Sequence, residues 1–426
     1  MSTARERAWF GVCFVLQAFA FVGSAAAARY GAAPSLVVLG VAFAFVPYAG
    51  VVVFSRALEG LRQPALVAVA ATSAIGAIWL LAPPVLSDDI YRYIWEGRLW
   101  LEGLNPYGIP PEDPSLTPLR DELWESINNK GLASIYPPLS QLLFAFAAWL
   151  GGGVATVKLL ALGALAVTAG WVARVTGDLR VALAVGLNPL LSEESALNGH
   201  LDVLVGGALL TVAWALSRHR FAQAGIAVCA AVGLKAVGLV ALPLLWKRPR
   251  VLVAATLASV LLMAPLLGSR TLGASVSGPR QFAIRWQGNE SVFAFVDWMG
   301  RRVVADSYAG LAARLVVAVA LLAIVALLIK RRVPPVQATR VLVWTVLLLS
   351  PQVHPWYLAW LLPLDLAAGG RAALIWSAAV LCAYAPLDAW VERGVWDMPQ
   401  WLHIFEYLVV ALALFFDLRN NSSILR

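Results

Sequence analysis

The 426 residues are 61% hydrophobic and 13% charged, about half the charged share of a soluble globular domain. That composition excludes a soluble globular protein. The net charge of +8 would suit a nucleic-acid binder, but the Lys and Arg residues are spread over short segments rather than gathered on one face, so no nucleic-acid partner is expected.

Apolar runs of about 20 residues recur from end to end, each matching the thickness of a bilayer core. The first, residues 8–28, follows Arg5 and Arg7 and has the look of a signal peptide. The next apolar run starts almost at once, with no small-residue cleavage site leading into a soluble domain, so the first run is read as a retained helix. The expected fold is all-α, a polytopic transmembrane bundle of roughly 13 helices forming a single membrane domain over residues 1–426. Cys13, Cys229 and Cys382 fall in apolar runs without metal-like spacing, which makes them buried, inert thiols.

Basic clusters thread the topology. Arg5/Arg7, Arg56/Arg62, Arg174/Arg180, Arg218/Arg220, Lys247/Arg248/Arg250, Lys330/Arg331/Arg332 and Arg371 are assigned inside by the positive-inside rule. The intervening apolar runs then turn on the opposite face. The segments expected outside are residues 30–34, 84–138, the hairpin at Asn198-Gly199-His200, Lys235, residues 269–308, His354 to Tyr357, and residues 388–400. Almost every unusual polar residue lands on that side. Between Arg62 and Arg174 there are three apolar runs where an even number is needed, so residues 139–150, short for a span, are expected to be re-entrant or tilted. Residues 84–138 mix Trp95, Trp100, Trp124 and tyrosines with charges, a pattern suited to helices lying on the membrane interface.

Four constellations stand out. Asp88 and Asp89 open a charged, aromatic stretch through Tyr91, Arg92 and Arg98 that follows directly on an apolar run. A carboxylate at a membrane boundary can act as a general base; the alternative is a helix N-cap. The second runs from Asn188-Pro189 through Glu193-Glu194 to Asn198-Gly199-His200-Leu201-Asp202, where polar and ionisable side chains interrupt a membrane hairpin. Such residues at membrane depth usually line a cavity or pathway, against the plain alternative of an exposed hairpin tip. The third is His354 between Pro351 and Pro355, followed by Trp356, Tyr357 and Trp360; here the aromatics could equally be interface anchors. The fourth is Lys235, which either snorkels to the surface or holds an anion such as phosphate. Arg270, Arg280, Arg285, Arg301 and Arg302 make the segment around it in topology, residues 269–308, basic and suited to a phosphorylated substrate.

At these residues the chain resembles the GT-C superfamily of membrane glycosyltransferases, in particular its bacterial polyprenyl-phosphate-mannose-dependent branch, glycosyltransferase family 87-like. The resemblance is carried by Asp88 to Arg98 with Asn105-Pro106-Tyr107, Ile135-Tyr136-Pro137-Pro138, Asn188-Pro189, Asn198 to Asp202, Lys235 before Leu242-Pro243-Leu244, and His354 to Tyr357. It implies a hexosyltransferase, with an α-mannosyltransferase ranked first, that moves sugar from a polyprenyl-phosphate donor to a glycan or glycolipid acceptor. The work would take place on the non-cytoplasmic face of a bacterial inner membrane. By position relative to Asn-Pro-Tyr, Asp89 matches the family's base, with Asp88 the near alternative. Lys235, His354 and Arg285 match its donor-phosphate side. His200, Asn198, Tyr91, Arg92, Tyr136, Trp356 and Tyr357 are the further substrate-binding candidates. The family often shows Asp-x-Asp; Ser87-Asp88-Asp89 departs from it, which weakens the case for a divalent metal, and no cofactor beyond the lipid-linked donor is expected. The same fold using another sugar (glucose, arabinose), or a flippase of lipid-linked sugars, are the alternatives. Flippases of that kind tend toward paired halves, and no internal symmetry is visible in the sequence.

Overall fold

A computed structural model of the chain describes residues 3–264 and 277–420. Among the described residues the regular structure is helical, apart from one isolated bridge between Gly288 and Gln352. Six helices, beginning at Pro34, Pro64, Pro138, Pro189, Pro249 and Pro335, carry proline at their first turn. There its missing N–H costs nothing and its fixed φ favours the helical start.

Seven helices among the described residues are long and apolar enough to cross a membrane: Ala4–Arg29, Pro34–Leu58, Pro64–Leu81, Val154–Thr176, Asp306–Lys330, Ala372–Arg393 and Gln400–Arg419. Six shorter apolar helices of 10–17 residues accompany them. The chain is a multi-pass helical membrane protein, as its composition required. Residues 139–150, expected to be re-entrant or tilted, form the short Pro138–Trp149 helix. Arg270 lies outside the described residues.

The chain divides into two compact units. The first is built from the chain up to Ile90, Val154–Gly207, and the chain from Leu358 onward. Its Val154–Thr176 helix packs on the Pro64–Gly76 and Leu179–Gly186 helices, with Ala161, Leu165, Ala169 and Val172 buried. The helical run stops after Gly186 and restarts at Pro189, because Pro189 cannot continue it; the Asn188 side chain accepts from the Leu191 N–H at 3.2 Å and caps the new helix.

The second unit comprises Tyr91–Gly153 and Ala208–Tyr357. Here the Asp89–Leu101 helix buries Trp95 and Leu99 against Leu116 and Ile127 of the following segment, with Tyr91 packed at the edge of that cluster. Its apolar face is therefore covered by protein, while Leu101 stays exposed. The segment itself is ordered by local bonds. Asp113 and Asp121 cap short turns, and the Trp124 indole donates to the Pro111 carbonyl at 2.8 Å with Arg120 and Lys130 against its ring.

Candidate active site

In the first unit, Asp89 is the first residue of the Asp89–Leu101 helix, where a carboxylate is favoured by the helix dipole. The Ser87 hydroxyl accepts from the Asp89 N–H at 3.3 Å, so serine takes part of the capping work at this helix start. Asp88 is exposed and Asp89 half-buried.

A fully buried polar cluster stands behind it. The eight-residue Pro189–Ala196 helix, too short to cross a bilayer, buries every one of its side chains. The Asn198 amide donates to both Glu193 and Glu194, the latter at 3.2 Å, and its carbonyl oxygen accepts from the Leu86 N–H at 3.4 Å. Tyr384 donates its phenolic hydrogen to the other Glu194 oxygen. His200 Nε2 lies 3.6 Å from Glu194, and the Trp360 indole donates to Asp202 at 2.7 Å. Burial, then the negative charges of Asp202 and Asp89, push the Glu194 carboxyl up to about 8 against the bonds from Tyr384 and Asn198. Burial and the adjacent Glu194 push Glu193 up as well. The pair therefore holds a proton near neutral pH, which removes the cost of burying two adjacent charges.

Gly199 makes this geometry possible. Its φ is +79°, and a Cβ there would lie 2.7 Å from Ile90 Cδ1, the side chain next to Asp89. Only glycine both adopts that turn and lets the 198–202 segment lie against the start of the Asp89 helix.

In the second unit, the Phe221–Leu234 helix ends at Lys235, whose extended backbone breaks the helix before a 3-10 stretch, Ala236–Leu245. The Lys235 ammonium lies 5.1 Å above the Tyr357 ring. The His354 ring stacks on Trp356 with centroids 4.2 Å apart and meets Tyr357 edge-on at 5.2 Å; its Nε2 lies 3.0 Å from the Gln352 amide nitrogen. Desolvation, reinforced by the Lys235 ammonium, depresses His354 to about 3, so the imidazole is neutral. Gly288 N–H donates to Pro351 and its carbonyl accepts from Val353, both at 3.0 Å. This ties the segment just after Arg285 to the His354 loop. Arg285 is exposed at the end of the Ser277–Arg285 helix. That helix begins at the 133–134 backbone, since a Cβ on Gly278 would meet the Ala133 carbonyl at 2.4 Å.

The sequence-derived residues thus sort into two groups by unit. Asp88, Asp89, Asn198 and His200 belong to the first; Lys235, Arg285, His354, Trp356 and Tyr357 to the second. Three others are engaged in packing. The Arg92 guanidinium, 4% exposed, pairs with Glu96 at 2.8 Å and donates to the carbonyls of Asn128, Asn129 and Leu132. It holds the loop to the helix. Tyr136 is buried between Tyr93 and Phe144, its carbonyl accepting from Tyr107. Tyr91 packs on the Trp95 cluster. Sequence reasoning missed Tyr384, hidden in the apolar Ala372–Arg393 span, and the Glu96–Ser134–Gln141 network, in which both Ser134 and Gln141 donate to Glu96. A lone tyrosine in a membrane run is the signal that could have found the former.

The model of a family described as alpha-(1->6)-mannopyranosyltransferase, N-terminal domain, matches residues 10–248, more than half of the chain. The chain belongs to this family. The matched region holds Asp88, Asp89, the Glu193–Asp202 cluster and Lys235; Arg285 and His354 lie beyond it. One relative is alpha-(1->6)-mannopyranosyltransferase A of Corynebacterium glutamicum, 29% identical over 175 residues, which is 38% of this chain and 35% of that protein. The match thus spans about a third of the relative's length. No solved structure matches the chain.

Proposed function

We propose that this protein is a membrane mannosyltransferase that takes mannose from a polyprenyl-phosphate donor and passes it to a glycan or glycolipid acceptor on the non-cytoplasmic face. Family membership and the activity named for the relative favour mannose and an α-(1→6) link. The observation that carries the reading is the setting of Asp89: a half-buried carboxylate at a helix start, within the family match, whose charge acts on the buried Glu194.

Asp89 takes the proton of the acceptor hydroxyl as its oxygen bonds to the anomeric carbon. The bond from that carbon to the phosphate oxygen breaks, and the polyprenyl phosphate leaves with the electron pair. A β-linked donor then gives an α product by a single inversion. With its carboxyls raised, the Glu193–Glu194 pair carries less negative charge than two free carboxylates would and competes less with Asp89 for the acceptor proton. By the family resemblance, Lys235 and His354 are the candidates to meet the leaving phosphate, a cation and an imidazole N–H being the kind of electrostatic stabilisation that usually dominates transfer catalysis. Arg285, exposed on the same loop system as His354, is a further phosphate partner.

The test uses the full chain in proteoliposomes with polyprenyl-phosphate-mannose and a mannoside acceptor. Asp89→Asn is expected to lower turnover by about 10²–10⁴-fold, the usual worth of a general base, while the exposed Asp88→Asn keeps most of it. Full activity in Asp89→Asn would remove the base assignment. Movement of the lipid-linked sugar across the bilayer without any transfer by the wild type would replace the enzyme reading with a flippase.

A further inference from the structure

A second site lies within the second unit, and none of its lining residues is assigned to the reaction. Five apolar segments end or begin around one cavity of about 1040 Å³: Val203–Ser217, Phe221–Leu234, Ala236–Leu245, Asp306–Lys330 and Pro335–Leu349. Its rim carries His219, Lys247, Arg248 and Arg332, all exposed, and no acidic residue lines it. Among the described residues none of the four takes part in an ion pair. Below the rim the walls are apolar, with Leu216, Leu244, Leu328 and Ile329.

The cations are held in place rather than left to wander. Arg248 lies 4.0 Å over the Phe221 ring and Lys247 5.5 Å over Trp246, cation–π contacts that hold the charges near the rim without neutralising them. Among the described residues, His219 and Arg332 are two of the five non-glycine residues with positive φ, at +58° and +53°. Each closes a helix end, with Arg220 N–H donating to Ala215 and Val333 N–H to Leu328. Glycine is the favoured residue at such a turn. Keeping Arg332 at one of them puts charge at the cavity mouth in spite of the backbone cost, and His219 at the other adds a polar ring.

We propose that this cavity binds an anionic phospholipid, with the headgroup phosphate on the basic rim and acyl chain against the apolar wall. Lys247, Arg248 and Arg332 belong to two of the clusters that the positive-inside rule assigns to the cytoplasmic face, and His219 lies between Arg218 and Arg220 of a third, so the lipid comes from the inner leaflet. Charge complementarity selects an anion, and basic pockets between membrane helices are suited to lipid headgroups. The size and the apolar wall select an amphiphile over free phosphate, which would leave most of the cavity unfilled.

The test titrates the purified full chain with short-chain phosphatidylglycerol, phosphatidylcholine of the same chain length, or inorganic phosphate. Melting temperature is followed, and native mass spectrometry counts retained lipid. Phosphatidylglycerol is expected to raise the melting temperature and stay bound, and the other two to do neither. The triple variant Lys247→Gln, Arg248→Gln, Arg332→Gln should lose affinity for it on the order of 100-fold, from roughly fivefold per basic residue at an anionic surface. A control triple, Arg62→Gln, Arg174→Gln, Arg371→Gln, removes the same charge from exposed positions in the other unit and should bind as the wild type does. Equal losses in both triples would overturn the proposal in favour of diffuse surface charge. Equal binding of phosphatidylcholine, or a full shift from inorganic phosphate alone, would overturn it too.

Discussion

The phenol of Tyr384 donates to Glu194, linking residues 190 positions apart and placing a tyrosine from an apolar span onto a carboxyl four residues before Asn198. Removing that donor leaves a buried carboxyl oxygen with no compensating bond, at a cost of about 1–3 kcal/mol. Tyr384→Phe is therefore expected to lower the melting temperature of the purified protein and to lower transfer activity with it. An unchanged melting temperature would show that the bond contributes nothing net.

Glu194 gives the fold a pH dependence of definite sign. Its carboxyl is raised from 4.5 to about 8, so between those values the folded chain binds a proton that the unfolded chain has released. The stability this represents is complete below about 4.5 and is lost as the pH rises through about 8. Melting temperatures measured from pH 5 to 9 should fall toward the alkaline end. Glu194→Gln, which cannot ionise, should flatten that slope; an equally steep fall in the variant would assign the effect elsewhere.

Arg92 and Glu96 form a buried pair, 4% and 1% exposed, that ties the 128–134 loop to its helix. Breaking a buried pair by truncating one partner costs about 3–5 kcal/mol, because the other charge stays buried and unpaired. Arg92→Ala should open the segment between Asn105 and Tyr136 to limited proteolysis while the membrane helices stay intact. If cleavage in that segment is no faster than in the wild type, the pair is not what holds it.

Gly199→Ala meets two obstacles, a left-handed backbone and Ile90 Cδ1 at 2.7 Å from the new Cβ. The backbone term alone is worth about 1–2 kcal/mol. Because the displaced side chain adjoins Asp89, transfer activity should fall more than stability does. A variant that melts lower but transfers normally would separate Gly199 from the Asp89 setting.

Most of the membrane class and much of the candidate site could be read from the chain alone. Runs of apolar residues at bilayer length have few alternatives to membrane helices, since lipid offers no partner for exposed backbone. Asp88-Asp89, Glu193-Glu194, Asn198 to Asp202, Lys235 and His354 were conspicuous because polar residues are costly in such surroundings. Arg92 and Tyr136 were equally conspicuous, yet their side chains build the loop. Sequence shows that a polar group is unusual but not whether its partner is substrate or protein.

The sequence by itself determined the all-α membrane class, the family motifs and the residues whose chemistry suits sugar transfer, because hydropathy and residue type act locally along the chain. The tertiary structure alone decided that burial raises the Glu194 carboxyl, that Tyr384 reaches Glu194, that Arg92 is held by Glu96 and the loop carbonyls, and that Lys247, Arg248 and Arg332 from separate loops rim one cavity. Each of these depends on groups far apart in sequence meeting in space, where burial and partner distance set the energy, and neither quantity can be read from residue order.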